Sequence, residues 1–197
     1  WEMGALAKYP VGGIILFGQN IVSEEQLKNL TDTIQEDAEN AGIYPLFIAV
    51  DEEGGGVSRV ANKLGYEKAL SPQQIGENGS NELAYAAGQH IAGYLSPLGV
   101  NLVLGPLADV EREKNEEIAH RVYGSDPLLV ARMAHAMAAG LRDGGMIPCY
   151  KHFPGHGSTA ADSHHGYAYT DKTLQQLESC DLLPFQLAIE NGAVFIM

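Results

Sequence analysis

Five short apolar runs of strand length, set apart by segments with helical spacing, limit the fold of this chain more than any other feature. They are Val11 to Phe17, Leu46 to Val50, Val100 to Leu104, Ile147 to Tyr150 and Ala193 to Met197. Several are unbroken hydrophobic stretches, as a strand buried on both faces requires. Between them the period changes. Ser23 with Gln26 reads as a capping box ahead of Leu27, Leu30 and Ile34, which share one helical face, and this helix ends near Gly42. Asn81 to Leu95 suits a second helix, stopped by Ser96-Pro97. Ser125-Asp126-Pro127 is the cap and first turn of a third, running to Gly140 or slightly beyond, and Thr170 to Asn191 makes a fourth, closed by Gly192. Strand alternates with helix throughout, and no linker rich in Ser, Pro or charge intervenes. The pattern predicts one parallel α/β domain, either doubly wound or a (β/α)8 barrel.

What favours the barrel is where the polar residues fall. The strands are followed by Gly18-Gln19-Asn20, by Asp51-Glu52-Glu53-Gly54-Gly55-Gly56, by Gly105-Pro106-Leu107-Ala108-Asp109 and by Lys151-His152-Phe153-Pro154-Gly155-His156-Gly157. Four chemically loaded strand ends converging on one mouth are what a barrel active site needs. Both ends of the chain read as cut. Trp1 to Tyr9 looks like the tail of a helix, and Ala193 to Met197 is a strand with nothing after it. The expectation is an incomplete barrel of about five strands over residues 1–197, whose exposed edges invite self-association.

Charge narrows the partners. A formal net charge of −13 repels polyphosphate and anionic lipid, which leaves nucleic acid and membrane surfaces as poor partners and a neutral solute as a better one. No run approaches the roughly 20 apolar residues of a membrane span, and the first residues lack the pattern of a signal peptide. Cys149 and Cys180 are too few for a disulfide framework and read as buried free thiols.

The chemistry concentrates between Lys151 and His165, which hold one Lys, one Asp and four His. His152 and His156 stand four apart, as zinc pairs on helices do, but Pro154 and Gly155 break the helix that makes this spacing useful. Acid/base work is the better reading. Imidazole titrates near neutrality, and Asp162, two positions before His164, can hold one ring nitrogen and fix the tautomer. His156 and His165 read as structural. Asp51 could be a nucleophile, a metal ligand or an acceptor for two sugar hydroxyls, since a carboxylate makes charge-assisted bonds to paired O–H groups. The glycines after it lack the Lys and the spacing of a phosphate loop. Arg121 and Lys151 add donors, although Arg121 could instead pair at the surface with Glu111, Glu113, Glu116 or Glu117. Asp109 either faces the mouth or caps backbone N–H groups. No GxSxG elbow occurs, which argues against a serine hydrolase.

Five motifs together resemble family 3 glycoside hydrolases, most closely their β-N-acetylglucosaminidase branch. They are Val11 to Phe17, Ile-Ala-Val-Asp-Glu-Glu-Gly-Gly (Ile48 to Gly55), Gly99 to Val110, Lys-His-Phe-Pro-Gly-His-Gly (Lys151 to Gly157) and Asp-Ser-His (Asp162 to His164). The resemblance implies a (β/α)8 or related barrel that cleaves terminal β-linked N-acetylglucosamine with retention and needs no metal or other cofactor. It implies sugar contacts at Asp51, Arg121, Lys151 and His152, and an acid/base pair at Asp162 and His164 in place of the usual carboxylic acid. Gly56 stands where members often carry Arg, and His120 and Val122 flank Arg121 in place of the usual small or polar residues. In the family the attacking carboxylate lies near the end of the seventh strand. If the five runs are strands two to six, it has no counterpart here, and the 197-residue chain alone is expected to be inactive. Whether water or phosphate completes the reaction stays open at this level, as does the natural substrate among cell-wall fragments, chitin oligomers and glycoconjugates.

Overall fold

The computed structural model describes residues 1–112, 118, 120–159 and 169–197. Its centre is a five-stranded sheet of β1 (Gly13–Leu16), β2 (Phe47–Val50), β5 (Leu102–Val103), β6 (Ile147–Tyr150) and β7 (Phe195–Ile196), every neighbouring pair parallel and in sequence order. A small antiparallel hairpin, β3 (Glu52–Gly54) with β4 (Val57–Ser58), follows β2 directly. The helices are α1 (Ala5–Lys8), α2 (Glu24–Asn40), α3 (Arg59–Leu64), α4 (Pro72–Asn78), α5 (Asn81–Leu95), α6 (Pro127–Asp143), α7 (Leu174–Glu178) and α8 (Leu183–Glu190). This is the α/β alternation that the apolar runs predict.

The ladders are shorter than the runs. Val11 and Phe17, at the ends of the first run, are about half exposed, and pairing begins only where Gly13 meets Phe47. Beyond β5 the chain reaches Pro106, which has no N–H to extend a ladder. One face of the sheet carries most of the core: Ile48, Val50, Val103 and Tyr150 pack with Leu27, Ile34, Ile91, Val130 and Phe185 from the helices. The other face holds a smaller cluster of Ala49, Leu102, Leu104 and Cys149, against which Ile147 and Phe195 pack. Cys149 and Cys180 are both buried free thiols, as expected. No helix among the described residues is long and apolar enough to cross a membrane.

Helix ends follow local chemistry. Ser23 accepts the N–H of Gln26 at 3.1 Å and starts α2, but the Gln26 side chain accepts from Val22, one residue earlier than a closed capping box requires. Asp126 accepts the N–H of Leu128 and starts α6. α5 and α6 approach very closely because a Cβ on Gly88 would lie 2.2 Å from the Met137 carbonyl, and one on Gly140 would lie 2.1 Å from that of Tyr85.

The single helix expected from Thr170 to Asn191 is two. Thr173 caps α7, which ends at Glu178, and α8 begins with Pro184 in its first turn. A proline there starts a helix and cannot bond back into a preceding one. The break turns Asp181 inward, where it is 1% exposed.

Candidate active site

β2 runs into β3, and residues along a strand point alternately to opposite sides. The alternation separates the three acids after Val50. Glu52 turns toward α3, where its carboxylate accepts from the N–H of Val60 at 2.8 Å and of Ala61 at 3.1 Å and from the Tyr94 hydroxyl at 2.9 Å. Asp51 and Glu53 turn together toward β6.

There Lys151, at the end of β6, reaches both. Its Nζ lies 2.6 Å from Asp51 Oδ1 and 2.6 Å from Glu53 Oε1. Arg121 closes the group with a two-point fork, Nε donating to Glu53 Oε2 and Nη2 to Oε1, both at 2.8 Å. Burial is graded across the four side chains: Glu53 is 0% exposed, Lys151 2%, Asp51 18% and Arg121 24%. The buried members are structural keels for the accessible ones. Burial pulls the Arg121 pKa down, but Glu53, with Asp109 and Asp51 beyond it, outweighs burial and holds it above the ordinary arginine value.

A second buried carboxylate organises the loop after β6. Asp109 is 0% exposed. Its Oδ2 accepts from the His152 backbone N–H at 3.2 Å and lies 2.7 Å from His152 Nδ1, while Oδ1 accepts from the His156 N–H at 2.6 Å. A carboxylate oxygen accepts, so Nδ1 is the ring nitrogen that donates to it, and Nε2 is the nitrogen on the opposite side of the ring. Gly157 allows the same loop to lie against the strand end, because a Cβ there would sit 2.0 Å from the Val110 carbonyl. His156 turns its Nδ1 to Thr159 Oγ1 at 2.7 Å.

Three of the expected site residues, Asp51, Arg121 and Lys151, therefore gather around Glu53 at the C-terminal ends of β2 and β6, and His152, next to Lys151, is held by Asp109. Asp162 and His164 lie outside the described residues. Arg121 pairs with the buried Glu53; of the surface glutamates weighed for it, Glu113, Glu116 and Glu117 lie outside the described residues. Asp109 takes the capping role, and its hold on the His152 ring adds a contact that backbone capping alone does not foretell. Gly54 and Gly55 admit the Leu70-Ser71 segment of the chain: a Cβ on Gly54 would lie 2.4 Å from the Leu70 carbonyl and one on Gly55 2.5 Å from Ser71 Cβ. Among the described residues no group of three or more His, Cys, Asp or Glu is placed to hold a metal ion.

Burial raises the pKa of Glu52 despite its three donors. A glutamate whose native pKa exceeds its unfolded value favours the fold fully below the unfolded pKa and loses that contribution as pH rises through the native one. The stability of Glu52→Gln relative to the unsubstituted chain should therefore improve as pH rises from about 4 to 8. Urea unfolding midpoints measured in parallel test this; a difference that stays constant with pH would contradict it.

Comparison with known proteins extends the geometry. Residues 2–197 match the model of the glycosyl hydrolase family 3 N-terminal domain. The chain is 36% identical over 202 residues to a β-hexosaminidase of Chromobacterium violaceum, covering 100% of this chain and 55% of that protein. It spans about half the length of the curated relatives it matches. A family 3 β-N-acetylglucosaminidase from Paenibacillus sp. str. FPU-7 superposes with a TM-score of 0.93 at 35% identity, over 98% of this chain and 36% of that one. NagZ from Neisseria gonorrhoeae, in complex with N-trifluoroacetyl-D-glucosamine, gives 0.88 at 34% identity, over 98% and 58% respectively. Its five parallel strands alternating with helices are those of an N-terminal barrel domain, and the chain belongs to glycosyl hydrolase family 3.

Proposed function

We propose that this chain is the sugar-gripping and proton-transferring part of a retaining β-N-acetylglucosaminidase. The observation that carries the reading is Lys151, clamped between Asp51 and Glu53 at the strand ends of a family 3 domain. In it, Asp51 accepts from sugar hydroxyls, the charge-assisted bonding that a carboxylate offers to paired O–H groups. Lys151 and Arg121 are held in place by Glu53 and donate to the ring substituents, and His152 Nε2 accepts. The N-acetylglucosamine class is supported by the N-trifluoroacetyl-D-glucosamine bound to the similar NagZ.

The reaction is a double displacement. His164, as imidazolium oriented by Asp162, gives its proton to the glycosidic oxygen while a carboxylate attacks the anomeric carbon and the aglycone leaves. The neutral ring then removes a proton from water, which displaces the carboxylate and leaves the sugar with its starting configuration. The attacking carboxylate is supplied from outside these 197 residues. Accordingly the isolated chain is expected to release no aglycone from an aryl β-N-acetylglucosaminide, whereas the full-length protein that contains it does so. Turnover by the isolated chain that Asp51→Ala abolishes and azide does not restore would refute the missing nucleophile. Supplying phosphate to the full-length protein should leave free N-acetylglucosamine as the product; a sugar 1-phosphate would show phosphorolysis instead.

The edges support a second reading, of an assembling or sugar-binding module. Among the described residues β1 pairs only with β2 and β7 only with β6, and an unpaired edge templates association. Size-exclusion chromatography of the isolated chain separates the two: concentration-dependent oligomers favour assembly, and a stable monomer opposes it.

A further inference from the structure

Beyond the sugar-facing groups, another buried carboxylate gathers its own partners. Asp181, in the break between α7 and α8, is 1% exposed. The Ser158 hydroxyl donates to its Oδ1, and Lys172 Nζ donates to its Oδ2 at 2.7 Å while also contacting Ser158 Oγ. Ser158 is 7% exposed and the Lys172 side chain 26%. Gly155 packs on the same residue, since a Cβ there would lie 2.8 Å from Asp181 Cβ. The ring of three contacts resembles a serine with an activating lysine, but both groups donate to Asp181, and an ammonium has no lone pair with which to deprotonate Ser158.

Burying a carboxylate is costly unless it is paired and hydrogen-bonded, so the cluster needs a role that its cost supports. Its place in the chain provides one. Ser158 lies four residues before Asp162, and Lys172 lies eight residues after His164. Both entrances to the acid/base segment are thus fastened to one side chain, two residues before the start of α8. Fastening two ends removes conformations that the residues between them would otherwise sample. A proton donor needs this more than most groups, because a misplacement of about 1 Å can cost about 100-fold in rate.

We infer that Ser158, Lys172 and Asp181 are positioning residues for proton transfer to the leaving group. The inference rests on the roles proposed for Asp162 and His164. It is tested in the full-length protein by kcat/KM for a series of aryl β-N-acetylglucosaminides, because a poor leaving group needs the proton and a good one does not. Ser158→Ala and Lys172→Met should each lower kcat/KM about 10- to 100-fold for the phenyl glycoside and less than about threefold for the 2,4-dinitrophenyl glycoside. Lys172→Arg, which keeps the charge, should restore most of the loss. Should Lys172→Met fail to fold, Ser158→Ala, which removes no charge, carries the same comparison. A uniform loss across leaving groups, or none, overturns the inference. His164→Gln separates the two failures. Leaving-group dependence in that variant but not in the Ser158 and Lys172 variants overturns the positioning role alone, whereas its absence from His164→Gln overturns the acid/base assignment and the inference with it.

Discussion

Glu53→Ala is expected to lower folding stability by about 3–5 kcal/mol and to remove nearly all activity from the full-length protein, although Glu53 itself is out of reach of substrate. The carboxylate is 0% exposed and is shared by Lys151 and the Arg121 fork. Removing it leaves two cations facing each other across a hollow, with Asp51 as the remaining counter-charge named for Lys151. Breaking one side of a buried ion network costs more than the network ever contributes, because the stranded charges are no longer solvated. Lys151 should then swing toward Asp51 or toward water, which changes the geometry of Asp51, the proposed acceptor of sugar hydroxyls, as well. Glu53→Gln keeps the volume and loses the charge, so its stability cost should be smaller while its kcat/KM still collapses. Urea unfolding and steady-state kinetics on the same preparations measure both; a Glu53→Ala protein with ordinary stability would show that the network does not hold the site.

The second large effect is expected at Asp109. Three donors converge on this carboxylate, the N–H groups of His152 and His156 and the His152 ring. Each buried donor left without a partner costs about 1–3 kcal/mol, so Asp109→Ala should rank with Glu53→Ala in lost stability. Its kinetic signature should differ. Without Asp109 the His152 ring is no longer held through Nδ1, so the Nε2 proposed to meet the sugar is no longer fixed, as when the carboxylate behind a catalytic histidine is replaced. A loss in kcat/KM of about 100-fold or more is expected. Full activity in Asp109→Ala would remove His152 from the sugar contacts.

Much of this site is written locally in the sequence. The run Ile48-Ala49-Val50 ending in an acid, and Ile147-Pro148-Cys149-Tyr150 ending in Lys151-His152, each announce a buried strand with a polar residue at its end. The caps Ser23 and Asp126 likewise mark α2 and α6 within a residue. Glu53 was harder to single out, because three consecutive positions offer acid side chains and composition does not say which faces the mouth. The period of two does: Asp51 and Glu53 share a side, and Glu52 takes the other. The pairing of Asp109 with His152 joins residues 43 positions apart and depends on how β5 and β6 lie side by side, which no local pattern encodes. α4 carries a Ser71 and Gln74 capping box and a stop at Gly79, but its short length and scattered apolar residues hide it from periodicity. The split between α7 and α8 shows the opposite failure. Continuous helical spacing suggests one element, and Pro184, which starts α8 and cannot bond back into a preceding turn, makes two.

The central claim is that the full-length protein carrying this chain hydrolyses β-linked N-acetylglucosamine by double displacement. Proton nuclear magnetic resonance of the anomeric signals during cleavage of an aryl β-N-acetylglucosaminide tests it most directly. The β-anomer of N-acetylglucosamine should appear first, with the α-anomer growing in only by mutarotation. First appearance of the α-anomer, or no release of the sugar at all, would contradict the account.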